Sequence, residues 1–273
     1  MVVVPGSEGD FGALPGHAPL ISEIRPGIIA VFEGGQVQER IFVAGGFAEV
    51  TNERCTVLAE QGEFDTAQTF FDEALRLEPG FAKARYNRGN SRLALGDAAG
   101  ALQDCEAALP GAVAGDDRAM MQLARSTILM NLGRIAEGWD SYEARLDPEF
   151  ADVTGYSVSM PRWTPASEMA GRSLLAFGEQ GLGDEVLFAS MMSDVIEALG
   201  PEGKLYLAVE ERLVDLFQRS FPRAEVGAHG TFLYRGKTVR AAPWLGDAPD
   251  IDMWTPMGSL LRRFRRDVAA FPD

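Results

Sequence analysis

Most of the chemistry this sequence could support is concentrated in one short run, QGLGDEV, from Gln180 to Val186. It follows the apolar stretch SLLAFGE and precedes a helically periodic one, so Gly181 and Gly183 sit where a strand passes into a helix. Ligands collect at such loops in open α/β sheets. One chemistry for the loop is dinucleotide binding, with Glu210 at the end of the following strand as the ribose acceptor. Val186 in place of a third glycine weighs against it, as does Asp184, which would aim negative charge where a pyrophosphate should lie. The other chemistry uses Asp184 itself: a carboxylate held at a helix start could take a proton from a substrate hydroxyl as general base. The same residue is also a favourable helix cap, worth about 0.3–1 kcal/mol, and on spacing alone capping is the stronger reading.

Few other residues offer chemistry. The 273-residue chain has two cysteines, Cys55 and Cys105, and two histidines, His17 and His229, with no CxxC and no HExxH. That pattern encodes neither a disulfide framework nor a metal site, implies no cofactor, and fits a reducing compartment. Both histidines read as single polar contacts. With 25 basic against 40 acidic residues the net charge is −15, so the surface repels nucleic acid and excludes it as a main partner. The one dense positive cluster, Arg262, Arg263, Arg265 and Arg266, reads as a solvated helix face. No apolar run approaches the ~18 residues of a membrane span, and MVVVP lacks the basic start of a signal peptide. The expectation is a soluble cytoplasmic protein, with the inner face of the plasma membrane as a peripheral location.

Three segments must position these residues. In residues 1–58 the period is two, and IIAVFEGGQVQERIFVAGG reads as a hairpin turning at Gly34 and Gly35 within a small antiparallel sheet. From about Leu58 to Leu146 the period is 3.6 and a repeat emerges. Aligning Gly62, Gly96 and Gly133 brings Ala67, Ala101 and Gly138 into register, then Phe71, Cys105 and Tyr142, then Ala74, Ala108 and Arg145. Gly62 and Gly96 are 34 residues apart, the tetratricopeptide (TPR) period, and Pro79 closes the first unit. The first repeat is defective, with Thr51, Arg54 and Cys55 at positions where the pattern wants other residues, so Val57 to Gln61 reads as a junction. From Pro161 onward strands alternate with helices: SLLAFGE, then EVLFASMMSDVIEALG as one helix with Phe188, Met192, Val195, Ile196 and Leu199 on one face. KLYLAVE, ERLVDLFQRSF and AEVGAH continue the alternation, which predicts a parallel, doubly wound sheet.

Two resemblances accompany this reading. PGSEGDFGALPGHAPLISEIRPG followed by RIFVAGGFAEVTNERCTVLAE resembles the N-terminal β-sandwich of the epsilon subunit of F-type ATP synthase. That family has a strand pair ahead of the position of Met1 and a helical hairpin after the sandwich, which implies an incomplete sheet here, completed by another chain or marginal in stability. The likeness implies a stalk role in which the loop around Gly16 and His17 meets rotor subunits. GWDSYEARL, PRWTPASEMAGRSLLAFGEQGLGDEVLFASM, LAVEERLVDLFQRSFP and IDMWTPMGSLLRRFR resemble bacterial TPR proteins ending in a heptosyltransferase-like glycosyltransferase of GT-B type. This likeness assigns Asp184 as the base that deprotonates an acceptor sugar hydroxyl, with Gly181 and Gly183 in the surrounding turn. GT-B enzymes bind the nucleotide-sugar donor mainly in a second lobe, and only the first is begun here, so autonomous transfer is not expected.

The sequence therefore predicts a multidomain chain: an epsilon-like partial β-sandwich in 1–58, a helical TPR solenoid in 59–150, and in 151–273 the N-terminal half of a GT-B glycosyltransferase, α/β and Rossmann-like. The expected function is protein or peptide binding, with Arg85, Asn87, Arg88 and Arg92 on the concave helical face. ATP synthase rotor subunits are the expected partners of 1–58, and a nucleotide sugar enters only with a donor lobe supplied. Sugar transfer through Asp184 and an epsilon-type stalk role are the alternatives.

Overall fold

The computed structural model describes residues 1–6, 9–14, 20–24, 27–33, 35–43, 46–50, 55–59, 64–113, 115–246 and 250–271. Gly16 and His17 lie outside them. The chain divides into two compact units, Met1–Gly111 and Ala112–Asp273.

The first unit opens with an antiparallel sheet of β1 (Val2–Gly6), β2 (Gly9–Ala13), β3 (Leu20–Ile24), β4 (Gly27–Glu33), β5 (Gln36–Val43), β6 (Gly46–Val50) and β7 (Cys55–Ala59). Its order is β5-β4-β1-β3-β6-β7, with β2 on β1. β1 divides its pairing, Val2 and Val3 against β4 and Gly6 against Ile24 of β3, which ties the β4–β5 hairpin to the β3–β6–β7 meander. The two-residue period is visible in β4, where Ile29 is buried and Ile28 is 55% exposed. Ile29 packs with Val4, Ile24, Val43 and Ala48. The β4–β5 turn carries Gly35 at φ +81°, a conformation that costs glycine nothing.

Three helices follow in the same unit: α1 (Phe64–Leu77), α2 (Ala82–Ala94) and α3 (Ala98–Ala108). Ala67, Phe71 and Leu75 recur every four residues on the buried face of α1 and pack with Ala84 of α2. The α2–α3 turn has Gly96 at φ +89°, and Asp97 caps α3 by accepting from the Gly100 amide at 2.8 Å. Gly89 lets these two helices close in: a Cβ there would stand 3.2 Å from the Ala101 carbonyl oxygen.

The second unit starts with another helical hairpin, α4 (Gly115–Asn131) and α5 (Ile135–Tyr142), turning at Gly133 with φ +72°. After the short β8 (Gly155–Tyr156) come β9 (Ser173–Phe177), α6 (Leu182–Ala189), α7 (Met192–Leu199), β10 (Lys204–Val209), α8 (Val214–Ser220) and β11 (Ala224–Ala228). β12 (Gly230–Tyr234), β13 (Lys237–Ala241), β14 (Met253–Pro256) and α9 (Met257–Phe264) complete it. The main sheet, β11-β10-β9-β14, is parallel throughout. β9 and β10 are buried along nearly their whole length, as strands covered on both faces must be. Leu174, Ala176, Leu205 and Leu207 face one core with Met191, Met192 and Val195, while Leu175, Phe177, Tyr206 and Ala208 face the other.

Three features differ from the sequence expectation. The single helix read through EVLFASMMSDVIEALG is two, because the Ser190 and Met191 amides tighten onto Leu187 and Phe188 and the Ser190 carbonyl accepts instead from Arg265 at 2.7 Å. Arg265 is accordingly no part of a solvated face; it is buried and also paired with Asp194 at 2.6 Å. The β12–β13 hairpin, which with β8 forms a separate small sheet, has no counterpart in the strand–helix alternation of the sequence. Its turn is built on Arg235 at φ +52° and Gly236 at φ +78°, and an Arg-Gly pair is a weaker hairpin signal than Asn-Gly.

Candidate functional site

The loop after β9 is shaped by two glutamates with opposite assignments. Gly178 follows the strand because a Cβ there would stand 2.3 Å from the carboxyl carbon of Glu185, which is buried beneath it. Glu185 accepts from the Glu210 amide at 2.8 Å and lies 3.2 Å from His229 Nε2 and 3.8 Å from Arg240, so one carboxylate gathers the carboxyl ends of β9, β10 and β11. His229, expected to make a single polar contact, makes two: to Glu185 through Nε2 and to Thr231 at 3.4 Å through Nδ1. Arg240 reaches over from β13 and donates to the carbonyls of Gly178 and Gln180.

Glu179 points the other way and is only 3% exposed. Arg145 meets it as a two-pronged fork, Nε to Oε2 at 2.8 Å and Nη2 to Oε1 at 2.7 Å, and the Gly258 amide at the start of α9 donates a third bond of 2.6 Å. Arg145 also donates to Glu143 at 3.0 Å and Ser259 at 3.1 Å, and its guanidinium carbon stands 4.1 Å from the Tyr142 ring centre. Burial pulls the Arg145 pKa down, but Glu179 and Glu143 outweigh it and leave the group above its ordinary range. For Glu143 burial pushes upward, and Arg145, Ser259 and Arg162 together hold the carboxyl below its ordinary value.

Between these two clusters Gln180 takes φ +62°, the left-handed region that costs a side-chain-bearing residue about 1–3 kcal/mol. The loop then enters α6 through Gly181, whose amide donates to Asp184 Oδ2 at 3.0 Å. Asp184 thus performs the capping role. It also lines a cleft of about 560 Å³ with Tyr142, Arg145, Tyr156, Glu179, Gln180 and Arg240. Burial pushes the Tyr142 phenol up to about 12 and the Tyr156 phenol upward as well, so both stay protonated donors. The Tyr156 hydroxyl is buried and has no hydrogen-bond partner among the described residues. The cleft therefore offers the Tyr142 hydroxyl, the Gln180 amide, the Asp184 carboxylate and the Arg240 guanidinium, a set that suits a polar, hydroxyl-bearing molecule.

Gly181 and Gly183 are exposed and shape the turn, and Gly183 has no neighbour that a Cβ would touch within 4 Å. Glu210, considered as a ribose acceptor, holds the Arg212 amide and guanidinium at 2.9 Å. On α2, Arg88 and Arg92 converge on the buried carboxylate of Asp104, and Arg88 also pairs with Asp72 at 2.7 Å. Those hydrogen bonds, the one to Asp104 first, raise the Arg88 pKa. Arg85 donates to the Pro79 carbonyl at 2.6 Å, and Asn87 is exposed. Sequence reasoning missed Arg145, Glu179, Glu185 and Arg240. Glu179 and Glu185 flank the glycine loop in plain view, but the cations that meet them lie 34 and 55 residues away. Among the described residues no group of three His, Cys, Asp or Glu could hold a metal ion, and no helix is long and apolar enough to cross a membrane.

The fold defines a multidomain protein with an N-terminal antiparallel sheet, a set of helical hairpins and a parallel α/β sheet. Residues 1–65 match the family described as ATP synthase, Delta/Epsilon chain, beta-sandwich domain. The ATP synthase epsilon chain of Rhodospirillum rubrum is 53% identical over 109 residues, 40% of this chain and 80% of that one. That of Paramagnetospirillum magneticum is 66% identical over 61 residues, 22% of this chain and 46% of the relative. Through its N-terminal domain the chain belongs to the ATP synthase epsilon chain family. Protein FlbA of Caulobacter vibrioides is 47% identical over 217 residues, 80% of this chain, and the chain spans 36% of the length of FlbA. An O-GlcNAc transferase mutant of Thermobaculum terrenum aligns with 60% of this chain and 31% of its own at 17% identity and a TM-score of 0.28, too loose a superposition to define a shared fold.

Proposed function

We propose that residues 59–150 are tetratricopeptide-type repeats that hold a protein or peptide ligand, and that 151–273 are a glycosyltransferase-like domain whose cleft receives an acceptor. The chain acts by holding its ligand rather than by transferring sugar on its own. The observation that carries this reading is the repetition between the hairpins α2–α3 and α4–α5. Gly96 donates to the Leu93 carbonyl and Asp97 to that of Arg92; 37 positions on, Gly133 donates to Met130 and Arg134 to Leu129. Arg88 crosses to Asp104 at 2.7 Å, and Arg125, again 37 positions on, crosses to Ser141 at 2.8 Å. Each hairpin also has a glycine whose Cβ would press on the facing helix backbone, Gly89 on Ala101 at 3.2 Å and Gly138 on Ser126 at 3.3 Å. Hairpins that share turn, packing contact and cross-helix bond are what a tetratricopeptide-type repeat requires of each of its units. Arg88 and Arg92 are ion-paired to Asp104, whereas Asn87 is exposed and the Arg85 side chain holds only the Pro79 carbonyl among the described residues, so Asn87 and Arg85 are the residues for ligand contact.

Peptide display against the full chain tests the holder. An enriched peptide whose retention falls at least tenfold in Asn87→Ala or Arg85→Glu, and is unchanged in Asp184→Asn, supports it; no enrichment, or a peptide indifferent to both α2 variants, rejects it. Turnover with a panel of nucleotide sugars that Asp184→Asn abolishes would replace the holder by an enzyme.

Family membership of the first domain favours a second reading, in which residues 1–58 meet ATP synthase rotor subunits and Gly16 and His17 lie in the contacting loop. Copurification of rotor subunits with the full chain is expected on that reading, and a clean monomer in the same pull-down counts against it.

A further inference from the structure

The β12–β13 hairpin carries a combination that neither the holder nor the cleft uses. Phe232, Leu233 and Tyr234 of β12 are 46%, 77% and 57% exposed. Among the described residues β12 pairs with β13 alone, which leaves its outer edge without a neighbouring strand there. The register runs Tyr234 against Lys237, Phe232 against Val239 and Gly230 against Ala241, around the two-residue turn of Arg235 and Gly236. In such a hairpin the residues flanking the turn exchange hydrogen bonds, and the pattern alternates from there. Tyr234 and Phe232 therefore bond to β13, and the N–H and C=O of Thr231 and Leu233 face outward. An exposed apolar edge of this kind is a template for another strand.

A groove of about 530 Å³ lies on the Tyr234 face of the hairpin, lined largely by apolar groups of Leu146, Val153, Tyr156, Tyr234, Val239 and Trp254. Three cations border it: Arg162, which is paired with Glu143, and two others. Lys237 donates to the Pro148 carbonyl at 2.7 Å, and the Arg235 guanidinium carbon stands 5.3 Å from the Tyr234 ring centre; neither forms an ion pair among the described residues. From Val226 to Gly246 the sequence holds three cations and no carboxylate, in a chain of net charge −15. We propose that this edge and groove bind an extended acidic polypeptide segment, which adds a strand to β12, seats aliphatic side chains in the groove and sets carboxylates against Arg235 and Lys237. A lipid surface fits less well, because hydrocarbon has no donors or acceptors for the outward amides and carbonyls of Thr231 and Leu233.

The probe is a fluorescein-labelled ten-residue peptide of alternating Glu and Val, titrated with the full chain and read by anisotropy. Expected is saturable binding that weakens at least tenfold when Lys replaces Glu or when proline interrupts the peptide. Leu233→Pro removes an outward N–H while sparing the β13 ladder, and should weaken binding at least tenfold with the unfolding midpoint unchanged. In the double variant Arg235→Asp with Lys237→Glu, in which Asp tolerates the left-handed turn, the preference should pass to the Lys peptide. Arg85→Glu should leave binding as it was, which separates this site from the helical face. The proposal is overturned by no binding of the Glu peptide, by equal binding of the Lys peptide, or by a preference that survives the charge reversal. Capture of the chain by phosphatidylglycerol vesicles in place of the peptide, or a dimer that Leu233→Pro dissolves, would overturn it in favour of those occupants.

Discussion

Replacing Arg145 by methionine would leave the Glu179 carboxylate buried with the Gly258 amide as its remaining partner. Breaking one side of a buried pair in this way costs about 3–5 kcal/mol, because the orphaned charge has no solvent to return to. Denaturant unfolding should show a loss of that size in Arg145→Met, and the double variant with Glu179→Gln should recover much of it. Glu143 makes a second prediction, for pH. Its folded-state pKa lies below the ordinary 4.5, so its contribution is fully present above that value and is lost as pH falls through the folded value. Thermal stability should drop in the acid range below about pH 4.5, and Glu143→Gln, less stable at neutral pH, should show a shallower drop. A slope unchanged by the substitution would assign the acid sensitivity elsewhere, Asp252 being another carboxyl that its bonds to Ser173 hold low. At this scale the sequence revealed Asp184 and its cap but not the Arg145 fork. A cap is set by neighbours three residues apart, whereas the fork joins positions that only the folded chain brings together.

Helical hairpins were the most legible elements, since a 3.6-residue period and a glycine at each turn are local properties of the chain. Gly96 and Gly133 have open space where a Cβ would go, so substitution there meets no clash and acts through the backbone alone. Alanine at either site should cost about 1–2 kcal/mol, the penalty for a left-handed residue, and the two losses should agree because the turns share their hydrogen bonds. Calorimetric or chemical unfolding of each variant measures this; a neutral substitution at one turn would break the equivalence. Less legible was the interruption at Ser190. Apolar spacing runs unbroken through it, and the residue that diverts its carbonyl, Arg265, is 75 positions downstream. β12 is illegible for another reason: Phe232, Leu233 and Tyr234 are all exposed and present no in-and-out alternation.

For the molecule as a whole, the change of hydrophobic period after residue 59 separated sheet from helices, and the N-terminal sequence carried its family in its own residues. What the sequence could not carry was how the α4–α5 hairpin is fastened within the second unit. The Trp139 indole donates to the Arg265 carbonyl at 2.8 Å, Arg262 reaches Asp140 at 3.0 Å, and Arg145 grips Glu179. Severing the peptide bond after Phe150 would consequently not release a free fragment. A nicked chain should stay associated through native gel filtration and part only in denaturant, and early separation would show these fastenings to be weak. Force or strain entering at Trp139 would be delivered, through one guanidinium, to the loop that holds Gln180 in its uncomfortable backbone setting.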